Sequence, residues 1–166
     1  GVHEGRELHL LVYFPREAPP EFLSFCQRQI SDRKTRYCKA VETLGLEGLT
    51  SPQEFRANGT EALTRHHLAK SLIQAGHAST MQEAFKLYAN RKNVPTMSIP
   101  YTECIEMARE LGGITSWAHP PLPELKKHIS TFAKHGLHGI EAIRPGVGGT
   151  ARKTYKKAAK RHQLFM

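Results

Sequence analysis

The chain has 166 residues, of which 39% are hydrophobic, so it is long enough to form one domain with a buried core. Its formal charge is +9, from 24 Lys and Arg against 15 Asp and Glu, which favours anionic partners such as nucleotides, nucleic acid or phosphate esters. No apolar run approaches the roughly 18–20 residues that cross a bilayer, and no charged start leads into an apolar stretch, so we expect a cytoplasmic protein with no membrane partner.

Histidine, cysteine and basic residues refine this expectation. Ten histidines raise the chance of metal or phosphate chemistry without locating it. The three cysteines, Cys26, Cys38 and Cys104, lack the pairing of a zinc motif or a disulfide framework, and we expect buried free thiols. Six basic residues lie within 151–161, either as an anion-binding surface or simply as the solvated face of a helix.

The hydrophobic pattern predicts regular structure along most of the chain. Residues 7–14 are typical of a strand in which alternate apolar residues face one way and His9 faces the other. The remaining predicted elements, in chain order, are helices over 21–44, from 52, over 60–75 and over 81–88, a polar loop with one short extended piece over 91–99, a helix over 101–111, a strand over 114–118, a helix over 123–135, a strand over 139–143 and a helix over 151–162.

The order of these elements predicts the fold class. From residue 101 onward helices and strands alternate, which favours an α/β domain with a parallel sheet and helices outside it. In such folds the functional loops follow the carboxyl ends of the strands. Residues 21–90 are purely helical, and we interpret them as an insertion or cap.

Two histidines stand in or beside predicted strands. His119 follows the strand 114–118, and Pro120 prevents that strand from continuing. A neutral imidazole at such a position suits Zn, Mn or Fe, although it could also merely end the strand. His9 would converge with His119 if both strands belong to one sheet, and otherwise it is a half-buried structural histidine. Carboxylates that could complete a metal centre, such as Glu141, follow no recognisable ligand spacing.

Phosphate-binding candidates lie at two other places. Arg65 and His67 stand at the predicted start of a helix, where free backbone N–H groups could help them hold a phosphate. The alternative is a solvent-facing basic pair. Arg144 follows the strand 139–143 and could reach the same face, whereas the PGVGG sequence after it is too generic to identify a phosphate loop.

Four segments together resemble the PHP domain family, the polymerase and histidinol phosphatase family of metal-dependent phosphoesterases. In chain order they are EGRELHLLVYF, TRHHLAKSLIQAGHASTMQEAF, ELGGITSWAHP and GLHGIEAI. They resemble the family's strand with a metal-ligating histidine, its Arg-Pro-His helix, its Ala-His-Pro strand and its Gly-Ile-Glu strand. The resemblance extends over nearly the whole chain and is closest to small stand-alone members that act on nucleotides or short RNA ends.

This resemblance implies a fold, a cofactor and roles for the candidate residues. The fold would be part of a distorted, seven-stranded β/α barrel, with residues 1–166 as one PHP-like domain and 21–90 as its helical insertion. His9 and His119 would bind one shared ion of a trinuclear centre, with Mn expected first and Fe or Zn as alternatives. Arg65 and His67 would bind phosphate. The function would be hydrolysis of a phosphorylated small molecule or an RNA end.

The chain also departs from the family pattern. It lacks the opening His-x-His strand with its Asp and the closing Gly-Ser-Asp-x-His strand, while Val12 replaces a usual glycine and His66 a usual proline. We therefore expect an incomplete domain that lacks the first and last metal-ligand motifs. It would be either a fragment or a barrel completed by a second chain, because an open sheet edge invites pairing. The alternatives are a non-catalytic basic module that binds nucleotides or RNA, and an inactive fragment.

Overall fold

A computed structural model describes residues 1–60, 62–95 and 99–166. The chain divides into two compact units, one formed by residues 1–22 with 98–166 and the other by residues 23–97. The first unit contains all the strands of the described residues together with three helices, and the second contains helices and loops. The presence of both helices and strands agrees with the α/β class predicted from the sequence.

The first unit holds two small sheets. Strands β1 (Val2–His3) and β2 (Arg6–Glu7) form an antiparallel hairpin. Its two turn residues, Glu4 and Gly5, have φ values of 44° and 70°, as the tightest hairpin turns require. The second sheet has the order β3–β4–β5, and its strands are β3 (Leu10–Tyr13), β4 (Ile114–Trp117) and β5 (Gly139–Ile140).

The sheet differs from the predicted one in three respects. It is mixed rather than parallel, because β4 pairs in parallel with β5 but antiparallel with β3. The strand predicted over 7–14 is divided, because its two ends have different partners. The N–H of Leu8 donates to the carbonyl of Gly1 (2.8 Å), whereas Leu10 lies opposite Trp117 of β4. The predicted strand 139–143 also ends earlier, at Ile140.

The helices follow the predicted positions closely. In chain order they are α1 (Pro20–Leu44), α2 (Pro52–Ala57), α3 (Arg65–Gln74), α4 (Met81–Leu87), α5 (Tyr101–Glu110), α6 (Leu122–Lys134) and α7 (Gly149–Arg161). The main difference is α3, for which a start near residue 60 was expected. Thr64 is extended and caps the helix, so α3 begins at Arg65. Of the loop predicted over 91–99, residues 96–98 lie outside the described part, as does residue 61.

Each unit has its own apolar core. In the first unit the sheet packs against α5, α6 and α7 through the buried residues Leu8, Tyr101, Ile105, Trp117, Leu125, Ile129, Phe132, Leu137, Ile140, Ala142, Tyr155 and Ala159. In the second unit the core is formed by Tyr37, Ala40, Leu63, Leu68, Ala69, Leu72, Ala78, Ala84, Ala89 and Val94. The three-stranded sheet, at whose edge His9 and His119 lie, therefore packs against a layer of helices.

The cysteines are free thiols, as expected, but they are not all buried. Cys104 is buried, and this burial raises the pKa of its thiol. Cys26 is half-buried and Cys38 is exposed, because Cys38 lies on the outer face of the long helix α1. Among the described residues no helix is both long and apolar enough to cross a membrane.

Candidate functional site

The topology of the sheet brings three predicted positions to one edge. Because β3 runs antiparallel to β4, the start of β3 lies beside the carboxyl end of β4. Because β5 is parallel to β4, its carboxyl end lies at the same edge. His9 precedes β3, His119 follows β4, and Glu141 follows β5, where its N–H donates to the carbonyl of Trp117 (2.9 Å). This edge is where an α/β protein is expected to present ligands.

His9 and His119 meet directly. Nδ1 of His9 lies 3.1 Å from Nε2 of His119, and the two rings cross edge to face with centroids 4.9 Å apart. Both side chains are exposed. This separation suits a hydrogen bond, and it also suits two ligands of one ion, since bonds of about 2.0–2.1 Å place tetrahedral ligand atoms roughly 3.3 Å apart.

The backbone at His119 is strained. Its φ is 74°, in the left-handed region that a side chain such as imidazole rarely occupies. The buried hydroxyl of Tyr155 donates to the carbonyl of the next residue, Pro120 (2.6 Å), and the His119 N–H donates to the Trp117 carbonyl (2.9 Å). Such strain persists only where the surroundings impose it, and it is commonest at functional sites.

Two hydrogen bonds fix the position of the backbone at His9. Its carbonyl accepts hydrogen bonds from the Ala118 N–H (3.0 Å) and from the Tyr101 hydroxyl (3.2 Å). Burial raises the pKa of Tyr101, so that this hydroxyl stays protonated and remains a donor at every physiological pH. Tyr101 and Tyr155 were not singled out in the sequence, where each is one apolar position of a helix. Their hydroxyls fix the backbone on either side of the histidine pair.

Two imidazoles alone are an incomplete metal site. Protein ligands normally number three or four around zinc and more around manganese. Within the described residues, His9 and His119 do not belong to a cluster of three or more potential ligands. The chemistry of the pair therefore fits one portion of a metal centre, with the remaining ligands to come from elsewhere.

Arg144 adds a cationic group four residues after the end of β5. Among the described residues, its Nε is the buried side-chain nitrogen that has no hydrogen-bond partner. A buried donor without an acceptor is costly, and functional sites are a common reason for one. An anion bound here would satisfy it.

Arg65 and His67 lie in the other compact unit, on the first turn of α3. Nδ1 of His67 accepts from the Thr64 N–H (3.1 Å) and contacts the Thr64 hydroxyl (2.9 Å). A backbone N–H can only donate, so the proton of a neutral His67 is on Nε2. The guanidinium of Arg65 lies 5.9 Å from the ring centre of Phe85, at cation–π distance. Nδ1 of His67 therefore serves to cap α3, and the Nε2–H is the group through which His67 can donate a hydrogen bond.

The cap makes stability depend on pH. Burial, followed by the charges of His66 and Lys70, lowers the pKa of His67 from its ordinary 6.5. The folded state therefore prefers neutral His67, and this contribution is complete above pH 6.5 and is lost as pH falls through the lowered pKa. We expect the urea midpoint of the parent to fall between pH 7 and pH 5 by more than that of His67→Gln.

His67→Gln is the matched variant because a Gln side chain can accept the Thr64 N–H bond but does not titrate. Other histidines contribute equally to both proteins, so the difference between the two pH profiles isolates His67. Parallel profiles would show that the Thr64–His67 contact does not stabilise the neutral imidazole.

The amino-acid sequence is similar to those of several proteins whose activity is named. No protein-family model matches the chain. The chain is 27% identical over 175 residues to the 5'-3' exoribonuclease Rnm of Salmonella typhimurium strain LT2 and 26% identical to that of Escherichia coli K12, covering 99% of the chain in both cases. It is 25% identical to a 5'-3' exoribonuclease of Haemophilus influenzae. The chain spans 59%, 59% and 62% of the length of these relatives.

Solved structures show the same fold in two further proteins. A protein of Bifidobacterium adolescentis, assigned as a metal-dependent phosphoesterase, matches 98% of the chain with a TM-score of 0.76 and 24% identity, over 62% of its own length. An amidohydrolase of Chromobacterium violaceum, solved with bound sulfate and no metal, matches 95% of the chain with a TM-score of 0.71 and 19% identity, over 59% of its own length. The chain therefore has the fold of a portion of these hydrolases and is related in sequence to exoribonucleases.

Proposed function

We propose that this chain is part of a metal-dependent phosphoesterase that hydrolyses RNA from a phosphorylated end. The observation that carries the proposal is the His9–His119 pair, whose ring nitrogens lie 3.1 Å apart at the edge of the sheet. The similarity to 5'-3' exoribonucleases supports RNA as the substrate. We further propose that the three-stranded sheet belongs to a PHP-type barrel, which other residues or a second chain would complete, in a cytoplasmic protein.

In this proposal each residue has a distinct task. A bound divalent ion, Mn²⁺ first and Fe or Zn as alternatives, would supply Lewis acidity toward a phosphoryl oxygen. His9 and His119 would hold that ion through imidazole nitrogens. Arg144 donates its unpaired Nε–H to a phosphate oxygen and supplies positive charge. Arg65 and His67, on α3, are proposed as further phosphate contacts, with Nε2 of His67 as the donor.

The activity is tested on the native protein that carries this chain. Nucleotide release from a short 5'-phosphorylated RNA is measured with and without Mn²⁺, for the parent, for His119→Ala and for His135→Gln. We expect Mn²⁺-dependent release that falls at least about 100-fold in His119→Ala, since ligand removal should exceed the roughly 10–100-fold cost of losing a supporting group.

His135 is the matched control because it is a half-exposed histidine of the same unit, hydrogen-bonded to Glu106 (2.8 Å), and it precedes β5, whereas His119 follows the parallel strand β4. His135→Gln should keep the parent rate. Release without any metal, or an unchanged rate in His119→Ala, would contradict the proposal.

A non-catalytic RNA-binding module remains the second candidate, and a basic groove favours it. Helices α6 and α7 enclose a groove of about 310 Å³ lined by Lys126, Lys157, Arg161 and His162 beside apolar residues. Three of these side chains carry permanent positive charge and stand where an RNA backbone could lie.

The groove predicts salt-dependent binding of RNA in the absence of metal. Each phosphate neutralised on single-stranded nucleic acid contributes a slope of about −0.7 in log K against log salt. Replacing both Lys157 and Arg161 with alanine should reduce the slope by about 1.4, as measured by fluorescence anisotropy of a labelled RNA. Replacing the exposed Arg28 and Lys39 of α1 instead leaves the groove intact and serves as a charge-matched control. Equal slopes for the two double variants would exclude the groove as the RNA contact.

A further inference from the structure

A second group of metal-ligating side chains lies in the first unit, apart from His9 and His119. It consists of His3, Glu4 and His128, each of which offers one ligand atom within 4.8 Å of the other two. Nε2 of His3 and Nδ1 of His128 are 3.1 Å apart. Tetrahedral coordination with bonds of about 2.0–2.1 Å requires ligand atoms roughly 3.3 Å apart, so the two imidazole nitrogens already have a suitable spacing and the nearby Glu4 carboxylate supplies the third ligand.

Two different elements hold these side chains in place. His3 ends β1 and Glu4 occupies the hairpin turn, and the pairing of His3 with Arg6 fixes this turn. His128 is 5% exposed on the buried face of α6. The rings of His3 and His128 meet edge to face with centroids 4.5 Å apart. An ion here would therefore join the hairpin to α6.

The surroundings of His128 match those of a metal-bound histidine. While Nδ1 of His128 faces His3, Nε2 lies 3.3 Å from the carboxylate of Glu124, one turn earlier on α6, and 3.8 Å from the carboxylate of Glu4. The same carboxylate pairs with Arg6 (2.9 Å), which keeps it in position. Metal-ligating histidines commonly donate their second ring N–H to a carboxylate, because this fixes the tautomer and the orientation of the ring.

We propose that His3, Glu4 and His128 form a zinc-type metal site, with Glu124 as the carboxylate that orients His128. Two imidazoles and one carboxylate are a ligand set suited to Zn²⁺ and Co²⁺. The site is separate from the His9–His119 pair and does not depend on the proposed function. The ammonium of Lys127 also pairs with the Glu4 carboxylate, which is the group that would bind the ion. Lys127 would therefore compete with the metal ion for the Glu4 carboxylate.

The test is a titration with Co²⁺, whose visible absorption reports tetrahedral coordination, followed by displacement with Zn²⁺. It uses the chain with both His9 and His119 replaced by alanine, so that the first pair does not contribute. We expect one Co²⁺ per chain with the absorption of a tetrahedral ion. His3→Gln and Glu4→Gln should each weaken binding at least ten-fold, while Lys127→Met should tighten it.

These variants separate metal binding from structural damage. His3 is only half-buried and Glu4 is exposed, so their replacement spares the core, whereas replacing the buried His128 could unfold the protein. His135→Gln, in the same unit, should leave the Co²⁺ titration unchanged. Absence of tetrahedral Co²⁺ in the chain that lacks His9 and His119, or equal affinity in His3→Gln, overturns the proposal.

Discussion

Replacing His119 with glycine should remove the proposed metal site that it shares with His9 while leaving the protein as stable as before. His119 has a φ of 74°, which costs a non-glycine residue roughly 1–2 kcal/mol. Glycine adopts this conformation freely, although its greater freedom in the unfolded chain costs roughly 0.5–1 kcal/mol. We therefore expect His119→Gly to have the free energy of unfolding of the parent or about 1 kcal/mol more.

His119→Ala supplies the contrast. It removes the same imidazole but keeps the Cβ and therefore the backbone strain, so its stability should lie below that of His119→Gly. Both variants should bind Mn²⁺ at least about ten-fold more weakly than the parent, and His9→Ala should behave in the same way. Loss of binding in a variant that is no less stable cannot be attributed to unfolding.

The measurements are calorimetric titration with Mn²⁺ and urea unfolding at the same pH. All proteins, parent included, should carry His3→Gln, so that the proposed zinc-type site does not take up manganese. His135→Gln is the control histidine and should bind Mn²⁺ like the parent. If His119→Gly binds Mn²⁺ with the parent's affinity, His119 is not a ligand. If it unfolds much more readily, the imidazole has a structural role that outweighs the strain.

Local sequence patterns predicted the helices and placed each of these histidines in or beside a strand, but their meeting depended on both strands belonging to one sheet. Helical spacing and capping residues act within a few positions, so the bounds of α1, α5 and α6 could be placed within one or two residues. The alternation in residues 7–14 put His9 on the face opposite Leu8, and the structure indeed leaves His9 exposed and Leu8 buried. The proline after His119 marked the end of its strand.

Strand pairing and long-range clusters were beyond such patterns. Nothing local specifies that β3 runs antiparallel to β4, because direction depends on contacts more than 100 residues apart, such as Leu10 opposite Trp117. The helix-capping role of His67 was missed because histidine is an unusual partner for Thr64. His128 gave one usable signal, since it occupies the apolar face of α6 with Leu125 and Phe132, where a histidine needs polar partners.

Truncating Phe132 should produce the largest loss of stability in the first unit. Its ring is fully buried and lies among four others, with centroids 4.8 Å from Tyr101, 4.9 Å from Trp117 and His3, and 5.9 Å from His128. Removing a buried phenyl ring leaves a cavity and costs about 3–5 kcal/mol, a large part of the roughly 5–15 kcal/mol that stabilises a typical domain. Phe132→Leu, which retains most of the volume, should lose much less.

Urea unfolding followed by the fluorescence of Trp117, the one tryptophan of the chain, measures this loss in the unit where Phe132 lies. Ile143→Ala is the control, because Ile143 is 68% exposed and its truncation should change stability by no more than about 0.5 kcal/mol.

Since Phe132 packs against both His3 and Trp117, Phe132→Ala should also weaken Co²⁺ binding at the proposed zinc-type site, even where the unit is still folded. A loss as small as that of Ile143→Ala would mean that α6 does not pack on the sheet through this ring, and the support of both histidine groups would then need another explanation.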